Sequence, residues 1–152
     1  HAAVACGEHM LVFGGWAADG ATPLASPELL HLETRCWTHC STRNAPPPPR
    51  GNPTLVYSRH RHLAVLCGGW DGQKRMGDTW CLDLEHWMWH RTATDSAWAG
   101  RTDHTACLWR ASGAEERMLV FGGSTIGGAN DELWSLDCSG GRPAAWAWTR
   151  DA

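Results

Sequence analysis

Apolar runs that end in a glycine pair recur at constant spacing along this chain. The runs lie at 11–13, 64–67 and 118–121, and the first glycines of the pairs, Gly14, Gly68 and Gly122, are 54 residues apart each time. Units of roughly 40–50 residues with β signals are typical of propeller blades, whereas helical repeats would place apolar residues at a spacing of 3.6. The pattern therefore predicts three copies of one β unit.

After each glycine pair the sequence predicts a further strand, with one buried face. The segments 28–33, 78–83 and 132–137 share the order acid, any residue, large apolar residue, any residue, leucine, acid. The large apolar position is filled by Leu30, Trp80 and Trp134. A tryptophan then closes each unit, at Trp37, Trp89 and Trp148. Trp87 and Trp146 fit the same role in a register shifted by two residues. With the entry segments at 1–3, 50–55 and 101–106, each unit holds four predicted strands.

These residues resemble the kelch repeat, which combines an Arg-x-x-His-like entry, a hydrophobic run into Gly-Gly, an acid-x-aromatic strand and a spaced tryptophan. The signature residues are Gly14, Gly15, Trp37, Gly68, Gly69, Trp80, Trp89, Gly122, Gly123, Trp134 and Trp148. The resemblance implies an all-β, kelch-type β-propeller fragment of three four-stranded antiparallel blades of about 54 residues. Residues 1–152 then form a single partial propeller, with approximate blades at 1–45, 46–97 and 98–152. Pro53, Leu30 and an insertion at 139–143 depart from the pattern.

Composition narrows the classes of partner. The 152 residues carry a formal net charge of −3 and are 43% hydrophobic, which favours neither nucleic acid nor an anionic membrane. Closed propellers use about 4–8 blades. We therefore expect this chain to be part of a six- or seven-bladed propeller, completed by remaining blades in the same polypeptide or by self-association. The outer faces of the first and third blades should expose apolar surface.

The cysteines and the candidate chemical groups indicate no reaction. Seven cysteines is an odd number, and Cys67, Cys81 and Cys107 are expected to be small buried residues of strands. This favours an intracellular, cytoplasmic location, with a disulfide-bonded extracellular propeller as the alternative. The segment 31–40 lacks the cysteine spacing of zinc sites, and we expect no metal or cofactor. The pair Asp103-His104 matches the entry signature rather than an acid–base pair. Kelch-like copper oxidases use tyrosines at the metal, whereas this chain has only Tyr57.

Long loops are predicted to meet on one face of the blades. Because strands alternate in direction, the loops after the second strands and the loops between blades emerge together, at 16–26, 70–77, 124–130, 43–52 and 93–103. Such loops are often functional. Candidate partner-binding residues are Trp16, Trp70 and Trp98 as anchors, Arg50, Lys74, Arg75 and Arg101 as donors, and Asp19 and Asp71 as acceptors. Trp16 and Trp70 could instead cover the blade edge. We expect the loop arginines to be replaceable without loss of stability.

The resulting hypothesis is a non-enzymatic scaffold or adaptor that presents this loop face to a protein or peptide partner. The resemblance implies roles such as substrate recognition for a ubiquitin ligase, or cytoskeletal and trafficking scaffolding. The alternative is part of an enzyme, with the propeller accompanying a catalytic domain or acting as an oxidase. The four prolines at 46–49 are interpreted as a stiff spacer, with an SH3-like partner as the less favoured possibility.

Overall fold

Three four-stranded antiparallel sheets make up the fold in a computed structural model that describes residues 1–92, 98–110 and 115–151. The first sheet contains β1 (Ala2–Cys6), β2 (His9–Phe13), β3 (Glu28–His31) and β4 (Trp37–His39). The second contains β5 (Thr54–Ser58), β6 (Leu63–Cys67), β7 (Thr79–Asp83) and β8 (Met88–Arg91). The third contains β9 (Thr105–Arg110), β10 (Glu116–Phe121), β13 (Leu133–Asp137) and β14 (Trp148–Arg150). A small ribbon, β11 (Ser124–Thr125) and β12 (Gly128–Ala129), and one 3₁₀ turn, Pro143–Ala145, complete the third unit.

Each sheet repeats the same strand order. Consecutive strands pair in the first two sheets, and the third has the same arrangement once the β11–β12 ribbon is set aside. The predicted all-β class, with unclosed four-stranded antiparallel blades, is confirmed. Among the residues that the structure describes, none forms a helix long and apolar enough to span a membrane. The blade bounds 1–45, 46–97 and 98–152 remain a proposal, and their ends at 93–97 and 152 fall outside the described residues.

Two hydrophobic clusters join the sheets. One cluster packs Leu11 and Phe13 of the first sheet against Leu66 and Trp89 of the second. The other joins the second and third sheets through residues of β5, β6, β7, β10, β13 and β14. The second sheet is therefore covered on both faces, and all five residues of β6 are buried. This explains why β6 reads as a continuous apolar run rather than an alternating one.

The register of the closing strand agrees between sheets. Trp37 pairs with Leu30, Trp89 with Leu82 and Trp148 with Leu136. Trp37, Trp89 and Trp148 are therefore structurally equivalent, and the alternative register with Trp87 and Trp146 is wrong. Trp89 and Trp148 are buried in the clusters, whereas Trp37 lies on the free face of the first sheet and is 58% exposed.

The alignment of β3 needs a correction of two residues. Met10 pairs with Leu30, and the equivalent pairs are Ala64 with Leu82 and Met118 with Leu136. Leu30 therefore takes the place of the second leucine in the pattern, and Glu28 occupies the place of Trp80 and Trp134. The acid-flanked pattern was thus misaligned in the first unit. A slip of two residues keeps every side chain on the same face, so alternation alone could not detect it.

Apolar side chains remain on the two outer faces. On the third sheet, Trp109 of β9 and Phe121 of β10 are 48% and 51% exposed. Cys107 in β9 is also exposed, so the expectation of a buried cysteine there was wrong. It belongs to the face of this sheet that no other described sheet covers. Cys67 and Cys81 are buried as expected.

Candidate functional site

Arg50 and Arg101 are wholly buried, so their prediction as exposed donors on the loop face was wrong. The Arg50 guanidinium donates to both carboxylate oxygens of Asp78, at 2.7 and 2.9 Å, and to the carbonyl oxygen of Gly68 at 3.0 Å. Arg101 repeats this arrangement with Glu132 and the carbonyl of Gly122, each at 3.1 Å. Both arginines therefore hold the second strand and the third main strand of their own blade together.

The backbone of each arginine reaches the preceding blade. The carbonyl oxygen of Arg50 accepts a hydrogen bond from the Gly15 amide at 2.8 Å, and that of Arg101 accepts one from Gly69 at 2.8 Å. All six glycines of the pairs have positive φ, including +65° at Gly68. A Cβ on Gly68 would lie 2.6 Å from the Arg101 carbonyl oxygen, which explains why glycine is required there. We call this two-sided contact the arginine clasp.

The acid at the clasp carries the electrostatic signature of a buried ion pair. Burial raises the pKa of Asp78, but the hydrogen bonds and charge of Arg50 outweigh burial and hold the pKa below its ordinary value. Asp78 also accepts a bond from the Trp80 indole at 2.6 Å. The sequence contained a signal for this pairing, because an arginine in the entry segment and an acid before the third strand recur together in the second and third units.

Trp98 is also a core residue rather than an exposed anchor. Its side chain is 5% exposed and stacks on Trp148, with ring centroids 3.9 Å apart and an interplanar angle of 5°. The Arg101 guanidinium lies 4.2 Å from the Trp98 ring centroid. Residues 93–97 of the same predicted loop lie outside the described part of the chain. Trp98 therefore packs the junction between the second and third blades.

Trp16 and Trp70 are half-buried and lie along one row of loop residues. The Trp16 indole rests on Gly51, where an added Cβ would meet its Nε1. Gly51 in turn exchanges two backbone hydrogen bonds of 2.8 Å with Trp70. The guanidinium of Arg75 lies 5.5 Å from the Trp70 ring centroid, and its Nη2 donates to Ser124 Oγ at 2.7 Å. These contacts form a continuous row across all three blades, made of Trp16, Gly51, Trp70, Arg75 and Ser124. Ser124 was not among the predicted partner-binding residues.

The predicted acceptors serve their own turns. Asp19 accepts hydrogen bonds from the Thr22 side chain and from the backbone amides of Ala21 and Thr22, and these lower its pKa to about 2. Asp71 accepts bonds from the amides of Gln73 and Lys74 at 2.8 Å. Desolvation raises the pKa of Asp71, but these bonds bring it below its ordinary value. Both carboxylates are therefore charged turn residues, and their use by a partner remains a prediction.

A groove of about 420 Å³ opens beside Arg75, lined by residues of the second blade and by Trp98. Lys74, Arg75 and Arg91 contribute positive charge to its lining, while Asp78 is already paired with Arg50. Arg75 Nε and Trp98 Nε1 are buried and have no hydrogen-bond partner in the described part of the protein. Unpaired buried donors favour a ligand that brings acceptor atoms. Arg91, which was not among the predicted partner-binding residues, is the last residue of β8, directly after Trp89 and His90.

His104 is a buried histidine of the junction between the second and third blades. Its Nε2 lies 2.8 Å from Thr54 Oγ1, and its ring adjoins Gly68. Burial, together with the charge of Arg101, lowers the pKa of His104 to about 4, although Asp103 acts in the opposite direction. The neighbouring Asp103 accepts a bond from Asn52 at 2.8 Å. This geometry supports a structural role for His104.

Stability should therefore decrease as the pH falls from 6.5 towards 4. In that range the unfolded chain binds a proton at His104, which has an ordinary pKa of 6.5, and the folded chain does not. We expect this residue to contribute a loss of about 3 kcal/mol across that range. Urea unfolding at a series of pH values should show a shallower decline for His104→Gln than for the unchanged protein. Substitution of the exposed His60 serves as the control, and equal slopes for all three proteins would contradict the prediction.

Comparison with known proteins identifies the repeat. A family model, the KLHDC2/KLHL20/DRC7 Kelch-repeats domain, matches residues 1–151. The chain belongs to the kelch-repeat family. Dynein regulatory complex subunit 7 of Chlamydomonas reinhardtii is 29% identical to it over 130 residues, covering 84% of this chain and 11% of the relative. An F-box/kelch-repeat protein of Arabidopsis thaliana is 27% identical over 147 residues, covering 90% and 30%. Host cell factor 1 of Mus musculus is 31% identical over 132 residues, covering 77% and 6%. The kelch segment thus spans less than a third of these relatives.

Proposed function

We propose that this kelch segment is a non-enzymatic interaction module that binds a protein or peptide partner on its loop face. The observation that carries the proposal is the groove beside Arg75. It combines two buried donors, Arg75 Nε and Trp98 Nε1, which have no partner among the described residues, with the cations of Lys74 and Arg91. A carboxylate is the protein group that satisfies such donors and is attracted by such charge. We therefore propose an acidic segment of a partner as the ligand.

Trp70 adds an apolar side chain next to the groove, beside Arg75. Its ring is half-buried, is held by two backbone hydrogen bonds to Gly51 and lies against the Arg75 guanidinium. A held ring loses little conformational freedom when a partner covers it, and Trp and Arg are enriched among residues that dominate binding energy. We therefore propose that the Trp70 ring has both roles, covering the blade edge and contacting a partner.

Peptide selection on the full-length protein tests the proposal. We expect the selected peptides to be enriched in Asp and Glu, and the double substitution Lys74→Ala with Arg91→Ala to weaken their binding by about tenfold or more. The matched control is Arg59→Ala with Glu115→Ala, because both of those residues are exposed on turns between first and second strands. Arg61 is unsuitable as a control, since it donates to the carbonyls of Cys138 and Gly141. Equal losses from both pairs would contradict the chosen face.

We propose that remaining blades of the same polypeptide, or a second copy, cover the faces bearing Trp37 and Phe121. Support comes from Phe13 and Trp89, which occupy the equivalent positions at the first junction and lie with ring centroids 5.4 Å apart.

An intracellular location is also proposed, supported by Cys67 and Cys81, which serve as small apolar core residues. The name of the Chlamydomonas relative, a complex subunit, is consistent with an adaptor role.

A further inference from the structure

The proline segment between the first two blades has a conformation that its sequence largely dictates. The pyrrolidine ring fixes φ of each proline near −65°. Every residue from 45 to 48 precedes a proline, which excludes the helical region and favours extended backbone. Together these restrictions give a polyproline II helix, which has three residues per turn and therefore three edges.

The burial of side chains follows this period of three. Pro47 and Arg50, which share one edge, are fully buried. Ala45 and Pro48 on the second edge, and Pro46 and Pro49 on the third, are exposed. One edge of the helix is therefore attached to the protein and the other two face solvent. We call the four exposed residues the proline ridge.

Contacts at both ends hold the ridge in place. Before it, the Asn44 side chain donates to the Trp89 carbonyl at 2.7 Å and accepts from the Trp89 amide at 2.8 Å. After it, Arg50 is fixed in the arginine clasp, and its Nε donates to the Pro48 carbonyl at 3.0 Å. The segment is therefore already ordered in the conformation that a partner would need, which lowers the entropy cost of binding.

We propose that the proline ridge is a docking site for an SH3-class domain, adjacent to the acidic-peptide groove, with which it shares Pro48. An SH3 groove has aromatic walls that take residue pairs from two edges of a polyproline II helix and leave the third edge free. The pairs Ala45-Pro46 and Pro48-Pro49 provide those two edges, while Pro47 and Arg50 provide the edge that needs no access.

Charge adds a direction to the docking. Arg43 is exposed and stands three residues before Pro46, which stands three before Pro49. Its backbone amide is anchored to the Trp87 carbonyl at 2.9 Å, so the start of the ridge is fixed relative to the second blade. SH3 grooves commonly place acidic side chains at one end, where they bind a basic residue beside the prolines. The spacing from Arg43 therefore specifies a basic-first orientation of the ridge in the SH3 groove.

The experiment titrates purified, isotope-labelled SH3 domains of basic-first specificity with the full-length protein, alongside a panel of WW domains. We expect SH3 domains to bind through their aromatic groove, seen as shifts of those resonances. Pro46→Ala with Pro49→Ala should weaken binding by about tenfold or more, and so should Arg43→Glu. Arg59→Glu, the same charge reversal on a distant exposed turn, should leave the affinity unchanged.

The result has clear alternatives. Arg43→Glu changes an exposed side chain, so it decides the matter even if the proline double variant fails to fold. Binding to no SH3 domain of the panel, binding only to WW domains, or SH3 binding that survives Arg43→Glu would each overturn the proposal. Failure here leaves the groove unaffected, because Lys74→Ala with Arg91→Ala tests that site with different residues and a different ligand.

Discussion

Replacing Arg50 with alanine is expected to lower the free energy of unfolding by about 3–5 kcal/mol. The substitution leaves Asp78 beside the junction without its bidentate partner, and it removes the donor to the Gly68 carbonyl. Breaking a buried ion pair from one side is costly because the remaining charge stays desolvated. Equilibrium urea unfolding of the protein measures the loss. The buried ion pair thus reverses the expectation from the sequence that this arginine could be removed without effect on stability.

Two comparisons make the Arg50 prediction specific. Arg59→Ala, on an exposed turn, should change the free energy of unfolding by less than about 0.5 kcal/mol. Arg101→Ala should cost less than Arg50→Ala, because its partner Glu132 is 23% exposed, against 11% for Asp78, and also contacts Arg150. A loss below about 1 kcal/mol for Arg50→Ala would show that the clasp does not stabilise the junction.

Substitution of Gly68 by valine is expected to cost about 2–5 kcal/mol through two separate effects. At φ +65° a side chain strains the backbone by about 1–2 kcal/mol. In addition, the new Cβ would lie 2.6 Å from both the Arg101 carbonyl oxygen and His104 Cε1, and overpacking of this kind costs about 1–3 kcal/mol. The Arg101 carbonyl oxygen belongs to the backbone and cannot rotate away. The valine would therefore displace the junction between the second and third blades.

Alanine at Gly68 and at Gly7 separates these effects. Gly7 has nearly the same φ, +63°, but a Cβ there would have no neighbour within 4 Å. Gly7→Ala should therefore show the strain alone, and Gly68→Ala should cost more by the steric contribution. Thermal unfolding of the two variants gives the comparison, and equal costs would mean that close packing at the glycine pair is unimportant.

Local repetition explains which features could be predicted from the sequence. The glycine pairs, the closing tryptophans and the four-strand unit recur with constant neighbours, so three copies supported one another. The positions of Arg50, Arg101 and Trp98 were misjudged because their burial depends on residues brought together by the sheets, such as Asp78, 28 residues from Arg50. Loop membership suggested exposure, whereas a recurring arginine matched by a recurring acid was the better guide.

The same balance applies to the candidate site. The sequence indicated Trp70, Lys74 and Arg75 because they are large or charged loop residues. The structure places Lys74 and Arg75 in the lining of the groove and the Trp70 ring beside Arg75. Arg91 and Ser124 could not be assigned to it. The place of Arg91 at the groove depends on how the strands of the second blade pair, and the contact of Ser124 with Arg75 depends on the packing of the third blade against the second. The proline ridge shows a similar limit, since its composition was evident but the burial of one edge was not.

The arginine clasp has a consequence for how the kelch blades gain their stability. Arg50 satisfies an acid within its own blade through its side chain and a glycine amide of the preceding blade through its carbonyl. A blade separated from its neighbour would therefore leave polar groups unsatisfied on both sides of the break. In repeat arrays, strong coupling between neighbours relative to the intrinsic stability of each unit makes unfolding concerted. The clasps at Arg50 and Arg101 consequently couple all three blades, and damage at one junction extends to the blade on either side.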